Sequence, residues 1–518
     1  METNLVNLKK IFDRSVEYVK YIDDSGCMQG RLDASPFWDK ILNSDPERKN
    51  YPDFNEMLTM RRGVTYPMSD SGTQADLDSE YQVAQATYSV VSQSVPESYL
   101  KELKESLLGS PLTFDFHGQM LSAGAIINAL TAYRIISWCN TTGLSDRPLR
   151  VLEIGPGYGQ VAYQLFNSLK IQSYSIVDLP ENLFLSSFYL QANFPEKSAH
   201  FVQNRNLWKN QVDLLFLVPP FLDSLPGPFD LVVNSYSFQE MTRCSVDEYF
   251  AYVSSHLSDY GIFYSLNAHG KSEVAWPSDY PIERFQLRSI LPIRKFPHHS
   301  VFATNPYEVV MSKRMEAPQS VEARSQCEQL IDALGGILQI GLHDDVLQCC
   351  ERFSQGKLET TETEWLQSLC DFQHSSDYST KKQHLNQMRS SGYLPGVVDY
   401  LDGSLNFVIG NGGLAELLLT KASKALHASH AVLITFTMLS CLAHKNGDQV
   451  MGKSLCSRAQ ALAPHLGLEI SRQVSNYDGL AIQVARKLHL DLPQAHNGFR
   501  GLVGLLHKKL RQNKLMAG

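Results

Sequence analysis

The chain is sparing with charge. Of its 518 residues, 46 are Lys or Arg and 54 are Asp or Glu, 19% in all, with a formal net charge of −8. A mildly acidic chain of this kind has no electrostatic footprint for nucleic acid. Its one basic run, HKKLRQNKLMAG at the end, reads as a short solvated tail. Long apolar runs are missing as well, since nothing approaches the roughly 18 uninterrupted apolar residues of a membrane span. The most apolar candidate, HAVLITFTMLSCLAH, is bounded by His430 and His444 and reads as a buried helix. Nine cysteines include no C-x-x-C, and the only close pair is Cys349–Cys350. That pattern lacks a metal spacing and fits reduced thiols. The first residues, METNLVNLKKIFDRSVEYVKY, have helical periodicity, acids throughout and no cleavage pattern of a signal peptide. A cytoplasmic protein, with neither nucleic acid nor membrane as partner, is the expectation.

The length exceeds one ordinary core and predicts roughly two to four domains. Three zones differ in texture. Residues 1–145 carry helical patterns such as SAGAIINALTAYRIISWCN, broken by turn-rich pieces, and form a region able to cap an acceptor site. Residues 146–315 alternate short apolar runs (RVLEI, YSIVDL, DLLFLVPP, FDLVVNS, GIFYSLN) with helical segments, which predicts an α/β fold around a parallel sheet. YEVVMSKR is the last strand-like run, and FQLRSILPIRKFP is able to pair with it across a loop holding His298 and His299. Residues 316–518 read as wholly helical, either stacked helical hairpins or a plain bundle, and offer a surface for a protein partner.

The chemistry concentrates in RVLEIGPGYGQVAYQL, residues 150–165. Gly155, Gly157 and Gly159 follow the apolar strand at alternate positions, and glycine lets backbone touch a ligand without a β-carbon in the way. The dinucleotide fingerprint G-x-G-x-x-G needs a third glycine where this chain has Gln160, so the pyrophosphate reading weakens. Asp178, about 20 residues on, ends a second strand where an acid accepts hydrogen bonds from ribose hydroxyls; Leu179 beside it belongs to the same cofactor set. Glu153, near the end of the first strand, would repel a pyrophosphate but suits the cationic amine of a methionine moiety. Together these features describe S-adenosylmethionine better than a dinucleotide.

The run VLEIGPGYGQVAYQL is similar to motif I of the class I methyltransferases. With IVDLPENL, LVPPFLDSL, VVNSYSFQEM and FYSLN it resembles a family of sugar O-methyltransferases over residues 140–270. The resemblance implies a Rossmann-like sheet, S-adenosyl-L-methionine as methyl donor and a hydroxyl of a sugar or sugar-containing acceptor. It leaves the last two hundred residues unassigned.

Methyl transfer to oxygen needs an aligned donor and acceptor, exclusion of water and a base for a weakly acidic hydroxyl. No paired metal carboxylates occur in this zone, which speaks against a divalent metal. Glu240, in SFQEM after the fourth strand, is a candidate base or acceptor ligand, or else a helix cap. His269, after the fifth strand, is the other candidate base, with a loop role as its alternative. Asn234 and Ser235 end the fourth strand and either contact the methionine part or acceptor, or close the turn. Tyr158 packs over the cofactor or in general surface packing. Pro219, Pro220 and Phe221 border the adenine or form a rigid turn. His117 reads as a structural histidine before it reads as an acceptor ligand, and His298–His299 as an exposed pair. Two rivals remain: methylation of another small molecule, and a non-catalytic cofactor-binding domain fused to a helical interaction module.

Overall fold

A computed structural model describes residues 2–28, 52–59, 74–92, 95–203, 212–225, 227–267, 280–292, 306–314, 360–392, 395–425, 430–462, 467–488 and 490. Among these, the helices are α1 (Glu2–Ser25), α2 (Phe54–Met57), α3 (Gln74–Val91), α4 (Glu97–Glu102), α5 (Ala123–Thr141), α6 (Gln160–Ser168), α7 (Pro180–Asn193) and α8 (Arg243–His256). A second run of helices follows: α9 (Thr360–His374), α10 (Tyr378–Ser391), α11 (Pro395–Val408), α12 (Gly412–Ala425), α13 (His430–Lys445), α14 (Gln449–Leu462), α15 (Gly467–Val474) and α16 (Tyr477–Lys487). The strands are β1 (Phe114–Phe116), β2 (Gln119–Leu121), β3 (Leu149–Ile154), β4 (Ile171–Val177), β5 (Ala199–Phe201), β6 (Leu214–Leu217), β7 (Phe229–Ser235), β8 (Leu257–Asn267), β9 (Phe285–Pro292) and β10 (Tyr307–Lys313).

Eight described strands form one sheet in the order β5-β6-β4-β3-β7-β8-β10-β9. Pairings from β5 through β8 are parallel, while β10 runs antiparallel to both β8 and β9. This is the doubly wound, Rossmann-like α/β arrangement that the alternation of apolar runs predicted. The order reverses between β3 and β7, and in open sheets of this kind ligands lie outside the carboxyl ends of the strands at such a reversal. Three strands escape the apolar-run reading. β5 is three residues long, and the hairpin β1–β2 turns through His117 (φ 56°) and Gly118 (φ 86°), so H-G was the only turn signal available.

Both faces of the sheet are buried, which explains why its strands read as continuous apolar runs. One face, including Val151, Tyr174, Ile176, Phe216 and Val233, shares an apolar cluster with α1, α5, α6 and α7. Helix α1 is further tied to the edge of the sheet, where the Tyr18 and Tyr21 hydroxyls donate to the carbonyls of Val202 (2.9 Å) and Gln203 (2.8 Å). The opposite face, including Leu152, Val177, Leu217, Val232 and Phe263, belongs to a cluster with α8. That cluster runs on into the second set of helices through Trp365, Leu401 and Leu439. There consecutive helices pack as α9–α10, α11–α12 and α13–α14. HAVLITFTMLSCLAH lies in α13, with Met438, Cys441 and Leu442 buried. The part of the helical reading that falls on 316–359, the pair Cys349–Cys350 and the basic tail lie outside the described residues.

Candidate functional site

The turn after β3 is held from two sides. The Gly155 amide donates to Val177 O on β4 at 2.8 Å, so the neighbouring strand extends into the turn. A β-carbon on Gly155 would stand 2.2 Å from Ser237 Oγ, beyond any tolerable approach. Gly155 also has φ 67° and Gly157 φ 57°, in the left-handed region that side chains disfavour. Gly155 is therefore glycine for a reason internal to the protein, whereas the Gly157 amide points to the acid at the end of β4. Gly159 (φ 90°) is the N-cap of α6.

Asp178 follows β4 and is buried. Its Oδ2 accepts from the Gly157 amide (3.1 Å), and its Oδ1 accepts from the Leu179 amide (2.8 Å) and Asn182 Nδ2 (3.1 Å). Loop, strand and the start of α7 are pinned on one carboxylate. Three of its roughly four acceptor positions are thus filled, leaving about one for a ligand hydroxyl. Burial pushes its pKa up to about 7, against the pull of those three donors. Glu153, on β3, is buried with Tyr174 Oη donating to its Oε2 at 2.7 Å. Burial raises it to about 8, and the charge of Asp178 adds to the rise. Among the described residues no lysine or arginine pairs with either acid.

The reversal point is closed by amide side chains. Asn234, fully buried at the end of β7, donates from Nδ2 to Ile154 O (3.0 Å) and to Ser237 Oγ. Its Oδ1 accepts from Asn267 Nδ2 at 2.9 Å, and Asn267 Oδ1 accepts from the Gln239 amide at 3.3 Å. The ends of β3, β7 and β8 are thereby buttoned together. These bonds close the turn, one of the two roles open to Asn234 in the sequence. Ser235 beside it is half-buried.

Between these serines lies a residue that sequence reasoning missed. Tyr236 has φ 61°, a conformation that a bulky side chain rarely adopts and that costs on the order of 1–3 kcal/mol. Its amide donates to Leu266 O at 2.7 Å, which holds the backbone there. No glycine or asparagine marks the position, so the strain was not legible.

The other candidates lie on separate elements. Tyr158 is buried with its ring 4.6 Å from that of Tyr189 on α7, which is packing within the protein. Leu179 is the half-buried N-cap of α7. Pro219 and Pro220 are buried in a 3-10 turn directly after β6, with Phe221 half-buried behind them. Glu240 is half-buried and ends the short 3-10 turn Phe238–Glu240, its amide donating to Ser237 O at 3.0 Å. His117 is exposed in the β1–β2 turn, 5.7 Å from the Tyr88 ring. His269, His298 and His299 lie outside the described residues, although β8 ends at Asn267, two positions before His269.

No family model matches the chain, and no curated protein matches it. Solved structures do. A TehB-like SAM-dependent methyltransferase from Corynebacterium glutamicum is 15% identical, over 35% of this chain and 87% of its own, with a TM-score of 0.25. A magnesium protoporphyrin IX methyltransferase from Synechocystis, with bound SAM, is 12% identical over 47% of this chain and 100% of its own, at a TM-score of 0.27. An S-adenosylmethionine-dependent methyltransferase from Clostridium acetobutylicum is 14% identical over 35% and 90%, at 0.25. Likeness of this extent assigns no role to any residue here.

Proposed function

We propose that the chain is an S-adenosylmethionine-dependent O-methyltransferase acting on a hydroxyl of a sugar or sugar-containing acceptor. The observation that carries the cofactor is the pair of buried acids, Glu153 and Asp178, at adjoining strand ends beside a left-handed glycine turn, with no cationic side chain described against them. Burying charge is costly unless it is paired. A dinucleotide would bring two more negative charges to this place; a ligand with a sulfonium and an ammonium brings the missing sign. The sugar acceptor rests on the resemblance of VVNSYSFQEM alone.

When bound, S-adenosylmethionine supplies an electrophilic methyl group. The protein's part is to bind, orient and deprotonate. Asp178 has one acceptor position left for a ribose hydroxyl, and Glu153 faces the cationic end. On this reading Tyr158 within the turn, Leu179 and Pro220 line the cofactor, together with Asn234 and Ser235 at the end of β7. Glu240 would take the proton of the acceptor hydroxyl as its oxygen bonds to the methyl carbon and the methyl–sulfur bond breaks, its electron pair staying on sulfur, with His269 the second candidate; positioned bases of this kind contribute typically about 10²–10⁴-fold. Residues 316–518 lie outside the chemistry on this reading and are free for a protein partner.

The test is calorimetry with S-adenosylhomocysteine. Gly157→Val sets a branched side chain at a φ of 57°, next to the amide that Asp178 holds. Binding should fall at least about 100-fold in a folded variant, on the order of 3 kcal/mol, while NAD shows nothing comparable with either protein. Unchanged binding in folded Gly157→Val would mean that the turn does not hold the cofactor.

A further inference from the structure

We infer that the groove between α11 and α13 is a docking site for an amphipathic helix, held by the chain's own α16 until a partner helix of the same chemistry displaces it. That chemistry is an aromatic head followed by a one-sided stripe of small and branched apolar residues. The inference rests on the reading that the last helices serve a protein partner, and not on the cofactor.

Two helical hairpins, α11–α12 and α13–α14, are built alike at a constant offset in sequence. Gly410 and Gly447 are left-handed, with φ 82° and 85°. The amides of Asn411 and Asp448 donate to Asn406 O and Ala443 O, both at 2.9 Å. Those of Ala415 and Gly452 donate to Asn411 O and Asp448 O, both at 3.0 Å. Each first helix thus ends on a left-handed glycine with the bond that such an ending uses. The helices of each pair also approach closely at matching places. A β-carbon on Gly403 would stand 2.9 Å from Leu419 Cγ, and its counterpart Ser440 donates to Gly452 O at 2.6 Å. The hairpins adjoin through α12 and α13. Like hairpins stacked in this way present extended binding surfaces.

In such a stack each unit touches only its neighbours. Helix α15 obeys, packing on α13 and α14. Helix α16 does not, because it reaches past that hairpin to α11 while also packing on α13. Tyr477 at its head rests on both first helices at once. Its ring centroid lies 4.7 Å from that of Phe407 near the end of α11, and its Oη donates to Phe407 O at 2.6 Å. From α13, Lys445 Nζ stands 3.6 Å over the same ring. Beyond Tyr477, the residues Leu480, Ala481, Val484, Ala485 and Leu488 are buried at the spacing of one helix face, while Asp478 and Gln483 are exposed. An amphipathic helix seated in an apolar groove is read in this pattern. The two hairpins close their turns and their helix contacts without α16. Another helix with the same stripe therefore fits where α16 lies.

The experiment uses the full-length protein and a fluorescent peptide of residues 475–490, SNYDGLAIQVARKLHL, read by anisotropy. In the wild type the tethered α16 competes at an effective concentration on the order of millimolar, so the peptide binds weakly. The double variant Leu480→Asp, Val484→Asp loosens the resident helix and should bind the peptide at least about tenfold more tightly. Tyr477→Phe removes only the bond to Phe407 O and should tighten peptide binding by about twofold to tenfold, the worth of one hydrogen bond. A peptide carrying the same two aspartates should not bind. Hydrogen exchange across α11–α14 checks that the hairpins survive in the double variant. Lost protection there would make α16 a member of the core and overturn the inference. Retained protection without peptide binding, or equal binding by all three proteins, overturns it too. A wild-type dimer that must dissociate before the peptide enters would seat a second copy's α16 in the groove and overturn the separate partner. None of these readouts involves the cofactor, so failure here leaves the methyl-transfer reading untouched.

Discussion

Five carboxylates are buried among the described residues, and they divide by place. Asp230, near the amino end of β7, accepts from Arg147 Nη2 (2.7 Å), the Arg150 amide (2.9 Å) and Ser258 Oγ (3.2 Å). Glu308, on β10, is gripped by Arg134 of α5 through Nε (2.8 Å) and Nη2, with Trp138 Nε1 at 3.2 Å. Asp402, on α11, takes Lys382, Arg389 (3.0 Å) and Asn406 (2.9 Å). Each of these three has a cation from the chain itself. Glu153 and Asp178, at the carboxyl ends of β3 and β4, have none described. A protein that balances its buried acids elsewhere and leaves two unbalanced at the reversal of its sheet has built those two for something outside itself. Perturbed acids alone would be weak grounds, because structural networks shift pKa values too. The contrast within one molecule is what sharpens them.

The comparison breaks first at its balanced side. Arg134→Met should leave Glu308 buried without its charge partner and cost roughly 3–5 kcal/mol, read from urea unfolding. The double variant Arg134→Met, Glu308→Leu should regain most of that loss, because it removes the stranded charge. If Arg134→Met costs under about 1 kcal/mol, the balanced acids are not held by their cations and the contrast loses its meaning.

The unbalanced side predicts an effect of opposite sign. Glu153 titrates higher in the folded protein, at about 8, than a free glutamate does. The folded state then binds more protons than the unfolded one between the free value and about 8, so this group makes stability fall as pH rises through that window. Glu153→Gln cannot titrate. It should match the wild type within about 1 kcal/mol near pH 5 and exceed it by about 1–3 kcal/mol at pH 8, as seen in urea midpoints without ligand. A variant that is less stable at both pH values would mean that Glu153 is balanced within the protein after all.

Much of this was readable before any coordinates, and the reasons are physical. A parallel sheet covered on both faces must be written in continuous apolar runs, so β3, β4, β6, β7 and β8 were visible, with the glycines and Asp178 at their carboxyl ends. The β9–β10 pairing followed from two more such runs. What stayed hidden depends on contacts distant in sequence. Nothing in NSYS tells that Asn234 turns inward to Asn267, that Ser237 fills the place of a β-carbon on Gly155, or that Tyr236 takes a left-handed backbone. The H-G turn of β1–β2 was too short a signal for a three-residue strand on each side. Nor could sequence reveal that Gln160, the residue that spoils the dinucleotide fingerprint, has a use of its own.

That use supplies the smallest prediction. Gln160 opens α6 and its Oε1 accepts from Asn128 Nδ2 on α5 at 2.8 Å, while Asn128 Nδ2 also donates to Gly124 O at 2.8 Å. One turn on, Gln164 Nε2 donates to Ala125 O at 3.0 Å, so two glutamines of α6 bear on the first turn of α5. A β-carbon on Gly124 would come within 3.0 Å of Gln160 Oε1 and 3.3 Å of its Nε2. The neighbour is the far end of a flexible side chain and can yield, but at the expense of its bond to Asn128. Glycine to alanine within a helix gains about 0.5–1 kcal/mol, and a lost hydrogen bond removes about 0.5–1.5 kcal/mol. The two nearly cancel, so Gly124→Ala should change stability by less than about 0.5 kcal/mol. Placed on Gln160→Ala, where nothing stands in the way, the same change should stabilise by the full helix gain. A double-mutant cycle from thermal unfolding measures the difference directly. Equal effects in both backgrounds would show that Gln160 does not lean on α5, and that its presence at the head of α6 has some other cause.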